Sequence, residues 1–330
     1  TPERFFQDVT LSPDLPMVAM VMADLFEQAA GTAVDGVIVV DPETMGAVLD
    51  LTGPVPTSHR RMTATSVVPF LLEEQYELEE VVRLVVLQEL VDGTVDNLTS
   101  GTLPGPRQVA ARLADVAAQD RLGVWWSEES GRNLVEKLGL DARFPEPSGS
   151  DLIAVVHQNA GQNKMDVHLR RSVTYELELT DGRALATATV ELTNTLTDLD
   201  RPAAVIGSND QDYPPGTNVA YVSLHTALDL AAARLDGESV AVERVGAFGG
   251  EAISLEIEIP AGATRVFEVD LTGNLPLDAG SYALRLPHQP LVNDDRVLVR
   301  AVVDGEELDP IDLVLEADTV VGPGSEGLEG

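Results

Sequence analysis

A chain of 330 residues is long enough for two domains, each with a core of its own. It carries 55 acidic against 21 basic residues, a formal charge of −34 that repels phosphate backbones and argues against nucleic acid as a partner. Cysteine is absent, which excludes disulfides, thiol nucleophiles and thiolate metal sites together.

Residues 5–11 read as an extended entry strand, followed by a turn at SPDLP. Met17 to Ala30 is strongly apolar and predicts a helix stopped by Gly31. Val34 to Val40 (VDGVIVV) is a compact β-branched run, of the kind buried on both faces of a sheet. Asp41-Pro42-Glu43 then opens a helix, with Asp as N-cap, Pro in the first turn and an acid at the positive dipole end. That helix is expected to end near Leu51, before Gly53-Pro54, so strand, cap and helix make half of a βαβ unit. Thr65 or Ser66 caps a helix toward Tyr76, and Glu77 to Leu98 is a longer amphipathic one. A helix from about Arg107 to Gln119, a strand at Leu122 to Ser127, a helix from Glu128 to Leu138 and a third strand at Asp151 to His157 follow. This alternation predicts an α/β domain over residues 1–163. Its sheet is small for so many helices, and strands from upstream of Thr1 are expected to complete it. Thr1 is not an initiator methionine, so the chain reads as a processed piece of something longer.

From Arg170 onward apolar and polar residues alternate, as in TYELEL, ALATATVELTN and ISLEIEIP, with turn signals at Asp181-Gly182, Asp236-Gly237 and Ala261-Gly262. Seven short strands at this spacing predict an antiparallel β-sandwich of immunoglobulin-like class over 164–278. Residues 279–330 read as an additional β segment and a flexible acidic tail. The joint between the two textures is Asp151 to Leu179, two strand-like ends around a polar turn.

Within that joint, Gln158 to Tyr175 (QNAGQNKMDVHLRRSVTY) resembles the signature of an uncharacterised bacterial envelope family, domain of unknown function four thousand and twelve. Val9 to Pro16, Val34 to Val55, Gly101 to Pro106 and Asn293 to Val297 share the resemblance. It implies an extracellular or surface protein, reaching a membrane only through an anchor outside this chain. Having only Lys137 and Lys164 among its basic residues as lysines suggests a GC-rich bacterial source. Asn159, Asn163, Lys164 and Asp166 belong to the signature and read as the hydrogen-bonding groups of an interdomain turn, with substrate contact as the alternative.

Val34 to Val55 also looks like the core of the LytR-CpsA-Psr transferases, which move glycopolymers from polyprenyl pyrophosphate carriers to peptidoglycan. Glu80, Arg83 and Gln88 fall near the next motif of those enzymes. That likeness implies a catalytic, pyrophosphate-binding Arg83 and a need for magnesium. Val86 and Leu87 stand where the motif has Arg and Gln, and the pair of cations expected after Tyr76 is missing. One Arg does not balance a pyrophosphate, so no complete active site is expected on this chain. From spacing alone Arg83 is a surface partner of Glu79 or Glu80.

The five histidines show no helical metal spacing, although His157 and His168 flank the joint. Asp210 with Asp212, and Asp294 with Asp295, are acidic loop pairs and calcium candidates. Of the adjacent Trp125 and Trp126, one should face the core. The expectation is a structural, assembly or glycopolymer-binding module. Its partners would be a cell-wall polymer, an upstream fragment of the same precursor or further copies of itself. The rival is a glycopolymer transferase whose remaining site residues lie upstream.

Overall fold

A computed structural model describes residues 6–101, 103–147, 150–207, 213–275 and 282–322. The chain divides into two compact units, Thr1–Arg143 and Phe144–Gly330.

The first unit is an α/β region. It opens with a 3-10 turn at Phe6–Leu11, where an extended strand was expected. Asp14 caps helix α1 (Leu15–Ala30) by accepting from the Met17 N–H, and Gly31 closes it in the left-handed conformation. Strand β1 (Gly36–Val40) runs into helix α2 (Pro42–Thr52), capped by Asp41 as the Asp-Pro-Glu run predicts. A small hairpin of β2 (Val55–Pro56) and β3 (Arg61–Met62) follows. Helix α3 (Ala64–Leu72) starts from a capping box between Thr63 and Ser66. Then come α4 (Glu80–Ser100), α5 (Pro106–Ala118), β4 (Leu122–Trp126) and α6 (Glu129–Lys137). Leu49, Val55, Met62, Val67, Phe70, Val86 and Leu90 form the core of this unit.

Two expectations fail here for one reason. Among the described residues strand β1 pairs only with β4, and antiparallel, so the strand–helix half-unit does not grow into a parallel sheet. Nor is β1 buried on both faces: Ile38 is 68% exposed. The face against α1 is covered, with Gly123 so close to Leu15 that a Cβ would overlap it, whereas on the other face α6 reaches Trp126 and leaves Ile38 open. Helix α4 likewise leaves Val81, Leu84, Val91 and Val95 at least half exposed.

The second unit is β-rich. Its strands are β5 (Asp151–Asn159), β6 (Leu169–Thr180) and β7 (Arg183–Asn194), then, after a helical turn α7 (Ala203–Ile206), β8 (Asn218–Thr226) and β9 (Asp229–Leu235). Strands β10 (Glu238–Ser239), β11 (Glu243–Ala247), β12 (Gly250–Ile259) and β13 (Thr264–Asn274) follow. The last are β14 (Leu284–Leu286), β15 (Asp295–Val303), β16 (Glu306–Glu307), β17 (Ile311–Leu315) and β18 (Thr319–Val321). One sheet has the order β10-β9-β13-β7-β6-β15-β16, with β17 also on β15; the other is β11-β12-β8-β5-β14-β18. Pairing is antiparallel except that β15 runs parallel to β6 and β14 parallel to β5. Alternate residues of β6 turn inward, and Val173, Tyr175, Leu177 and Leu179 join Ile153, Val155, Val222 and Leu224 of the other sheet in one hydrophobic cluster.

Strand β5, expected as the third strand of the α/β domain, lies in this second unit between β8 and β14. The boundary therefore falls at 143/144, ahead of the expected 163. Ile153 and Val155 face the shared core, while Leu152, Ala154 and Val156 pack with Phe144 and Phe248. A strand buried on both faces loses its alternation, so its sequence does not say which kind of sheet it enters. The segment after 279, read as an addition, supplies β14, β15, β17 and β18 to both sheets. The Asp-Gly turns behave as read. Asp181-Gly182 has φ of 48° and 76°, the pair of positive values a tight hairpin needs, and the Asp181 N–H donates to Asp304 Oδ1 at 2.9 Å. Among the described residues no helix is long and apolar enough to cross a membrane.

Candidate functional site

The signature stretch and the distant Asn293 to Val297 meet in the second unit, where β5 ends and β6 begins. The chain leaves β5 at Asn159, turns, makes a 3-10 turn at Met165–His168 and enters β6 at Leu169. Its side chains then bind one another. Arg171 on β6 is buried and lies across from Asp295 on β15, giving it Nε at 2.7 Å and Nη2 at 2.6 Å. The same guanidinium donates through Nη1 to His157 Nδ1 and to Gln289 Oε1, both at 3.1 Å. Gln289 also accepts from the His157 backbone N–H and donates back to its carbonyl.

Arg171 can only donate, so His157 Nδ1 is the acceptor of that bond and Nε2 is the ring's N–H. That nitrogen faces Asp166 Oδ1 at 3.8 Å. The same carboxylate oxygen accepts from Asn159 at 3.1 Å and from Asn218 at 2.9 Å. Burial opposes the charge on Asp166, but the nearby His157 ring and the hydrogen bonds from Asn218 and Asn159 hold its carboxyl below the usual range. Asn159 donates further to Asn163, which in turn donates to the Thr217 carbonyl and accepts from the Met165 N–H. Asn293 clamps the turn by donating to the carbonyls of Val167 and Leu169.

Of the residues singled out from sequence, Asn159, Asn163 and Asp166 come together in this network. Lys164 is exposed, and its backbone N–H donates to the Val205 carbonyl at 2.9 Å. Arg83 belongs to the first unit, on α4, with its guanidinium carbon 5.3 Å from the centre of the Tyr76 ring. Burial raises the Tyr76 hydroxyl pKa, and the neighbouring Arg83 charge partly offsets this. Gln88 donates to Asp92 one turn away. Asp210 and Asp212 lie outside the described residues. Asp295 is taken up by Arg171, while Asp294 lies 3.8 Å from His288. Trp126 is 43% exposed, with Gly131 of α6 against its ring.

Sequence reasoning passed over Arg171, Asn218 and Gln289, and read Asp295 as a loop acid and calcium candidate where it is a strand residue paired with Arg171. A signal was there for two of them. Arg171 occupies an inward phase of β6 and Asp295 an inward phase of β15, positions otherwise held by Leu, Val, Tyr and Ala. A charge in the apolar phase of a strand calls for a buried partner.

Chemically the network is a set of donors matched to acceptors. What stays open is the Asp166 carboxylate, with 35% of its side chain accessible, and the buried Oδ1 atoms of Asn159 and Asn218, which have no hydrogen-bond partner among the described residues. Such oxygens suit a hard cation. No cluster of three or more His, Cys, Asp or Glu able to hold a metal occurs among the described residues.

Residues 1–76 match a family described as a protein of unknown function, DUF4012. The match takes in Val9 to Pro16 and Val34 to Val55 and stops short of the network. No curated protein matches the sequence. Among solved structures the chain is similar to a proposed nutrient-binding protein from Legionella pneumophila, at 10% identity, over 52% of this chain and 70% of that one, with a TM-score of 0.34. It is also similar to an M1 zinc metallopeptidase from Deinococcus radiodurans bound to a Tyr-Ser-Ala substrate, at 16% identity and a TM-score of 0.24. That likeness covers 41% of this chain and spans about a third, 33%, of the peptidase. Likenesses this slight carry no argument about fold or activity.

Proposed function

We propose that the chain is a binding or assembly module of a bacterial cell surface, with a structural or glycopolymer-binding role and no complete active site of its own. One observation carries the reading: the polar side chains of the signature are engaged with one another. Arg171 is held by Asp295, and His157 accepts from Arg171. A catalyst instead needs donors and acceptors left free for a reacting atom. The place outside the cell rests on the resemblance to the envelope family. The β-rich unit is read as immunoglobulin-like, an architecture that suits a surface module. Calcium or magnesium, if bound, would sit at acidic loops.

The test is co-sedimentation of the purified chain with cell-wall sacculi that retain their glycopolymer and with sacculi stripped of it. Retention by the first alone is the expected result, and equal or absent retention overturns the glycopolymer role. The alternative is a magnesium-dependent glycopolymer transferase with its remaining residues supplied from upstream. It draws on the Arg83 guanidinium held over Tyr76. There Arg83→Ala abolishes turnover of a polyprenyl pyrophosphate-linked glycan, and unchanged turnover removes Arg83 from the chemistry.

A further inference from the structure

Strand β1 ends the first unit's sheet on one side. Its register with β4, together with the bonds from Ser127 N–H to the Asp35 carbonyl and from Asp41 N–H to the Arg121 carbonyl, fixes which groups face inward. Asp35, Val37, Val39 and Asp41 point their backbone groups at β4. Those of Gly36, Ile38 and Val40 point away, and no backbone partner for them occurs among the described residues. Ile38 is 68% and Val40 42% exposed, and Trp126 of β4 lies on the same face. Edge strands are ordinarily guarded by a charge, a proline or a bulge. The run GVIVV has none of these.

We propose that this edge is a docking site for an extended strand of another polypeptide, one with β-branched residues at its centre and Arg or Lys at its ends. Strand addition satisfies the outward backbone groups, and its side chains cover Ile38, Val40 and Trp126. Charge selects the occupant. Asp35 and Asp41 bracket β1, on a chain with 55 acidic residues against 21 basic. A second copy would pair antiparallel about Ile38, which sets Asp35 of each chain opposite Asp41 of the other, and like charges directly opposed destabilise a strand pair. Asp41 is already matched by Arg121 at 2.8 Å, which leaves Asp35 as the stronger attraction for a basic end. Docking at this edge of the first unit is independent of the polar network in the second.

The experiment uses the full chain and two synthetic heptapeptides, Arg-Val-Thr-Val-Thr-Val-Arg and Glu-Val-Thr-Val-Thr-Val-Glu, followed by amide hydrogen exchange and tryptophan fluorescence. The basic peptide is expected to slow exchange at the Ile38 and Val40 amides by about tenfold or more, and to bind at least about tenfold more tightly than the acidic one. Val40→Pro removes an outward N–H without touching a bond to β4, and should abolish both effects while circular dichroism stays unchanged. The wild-type exchange data stand alone should that variant unfold. No protection by the basic peptide overturns the site, and equal binding of both peptides overturns the stated partner. A concentration-dependent dimer in sedimentation, lost in Val40→Pro, would make a second copy the occupant and overturn it too.

Discussion

Arg171 and Asp295 illustrate how a buried pair differs from the sum of its halves. Their side chains are 2% and 6% exposed, so removing one partner strands a charge away from water. Asp295→Ala should lower stability by about 3–5 kcal/mol, whereas Arg171→Met with Asp295→Leu should lose only about 1–3 kcal/mol, from the donor that His157 and Gln289 give up, read from urea midpoints. Equal losses in both would mean the ion pair itself carries the stability. Asp151 is a second buried carboxylate, accepting at 2.8 Å from both Tyr175 and Tyr282. Burial raises its pKa, and the two phenols and the Leu152 N–H only partly offset this. Its share of stability is therefore present below its unfolded value and lost as pH rises through the folded one. Tyr282→Phe removes a bond to the charged form and should cost about 1.5–3 kcal/mol at pH 7 and less near pH 4. His225 has the opposite sign. Enclosed by Phe144 and Phe248, its imidazole is pushed down to about 4 by burial. Stability linked to it is whole above the ordinary histidine range and declines as pH falls toward that value, by up to about 3 kcal/mol. His225→Phe should shrink the loss measured between pH 7 and pH 5; an unchanged loss would point to other groups.

Elements announced themselves in the sequence where a local rule fixes them. The Asp-Pro-Glu start of α2 and the Asp181-Gly182 hairpin are set by capping and by positive φ, both read from a few neighbouring residues. Partners of β1 and β5 were not legible, since a short β-branched run is consistent with any sheet that buries it. The site shows the same division. Asn159, Asn163 and Asp166 were recognisable as a group from their stretch, but the bonds of Asn218 to Asp166, of Gln289 to His157 and of Asp295 to Arg171 each span more than fifty positions of chain. Packing between elements also overrides propensity. Gly93→Ala in α4 would ordinarily strengthen a helix by about 1 kcal/mol. Here the added methyl would lie 2.4 Å from Val55 Cγ1. We therefore expect a loss of about 1–3 kcal/mol, recovered in part by Val55→Ala, from a thermal-melt double-mutant cycle.

At the scale of the whole molecule, charge of one sign governs how the surface behaves. A formal charge of −34 makes the compact state repel itself, and salt screens that repulsion. The melting temperature should rise as sodium chloride goes from about 10 mM to about 1 M, and a flat response would show the surface charges to be locally compensated. The two parallel pairings of the second unit bear on how the protein is made. Strands β6 and β5 receive their neighbours β15 and β14 from residues beyond 283. During synthesis, a nascent chain emerging from the ribosome as far as residue 275 holds most of its strands but leaves both edges open. The sheets close only when residues 284–321, which carry β14 to β18, have emerged. Long-range closure of this kind is slow, and the waiting edges are where a chaperone would be needed.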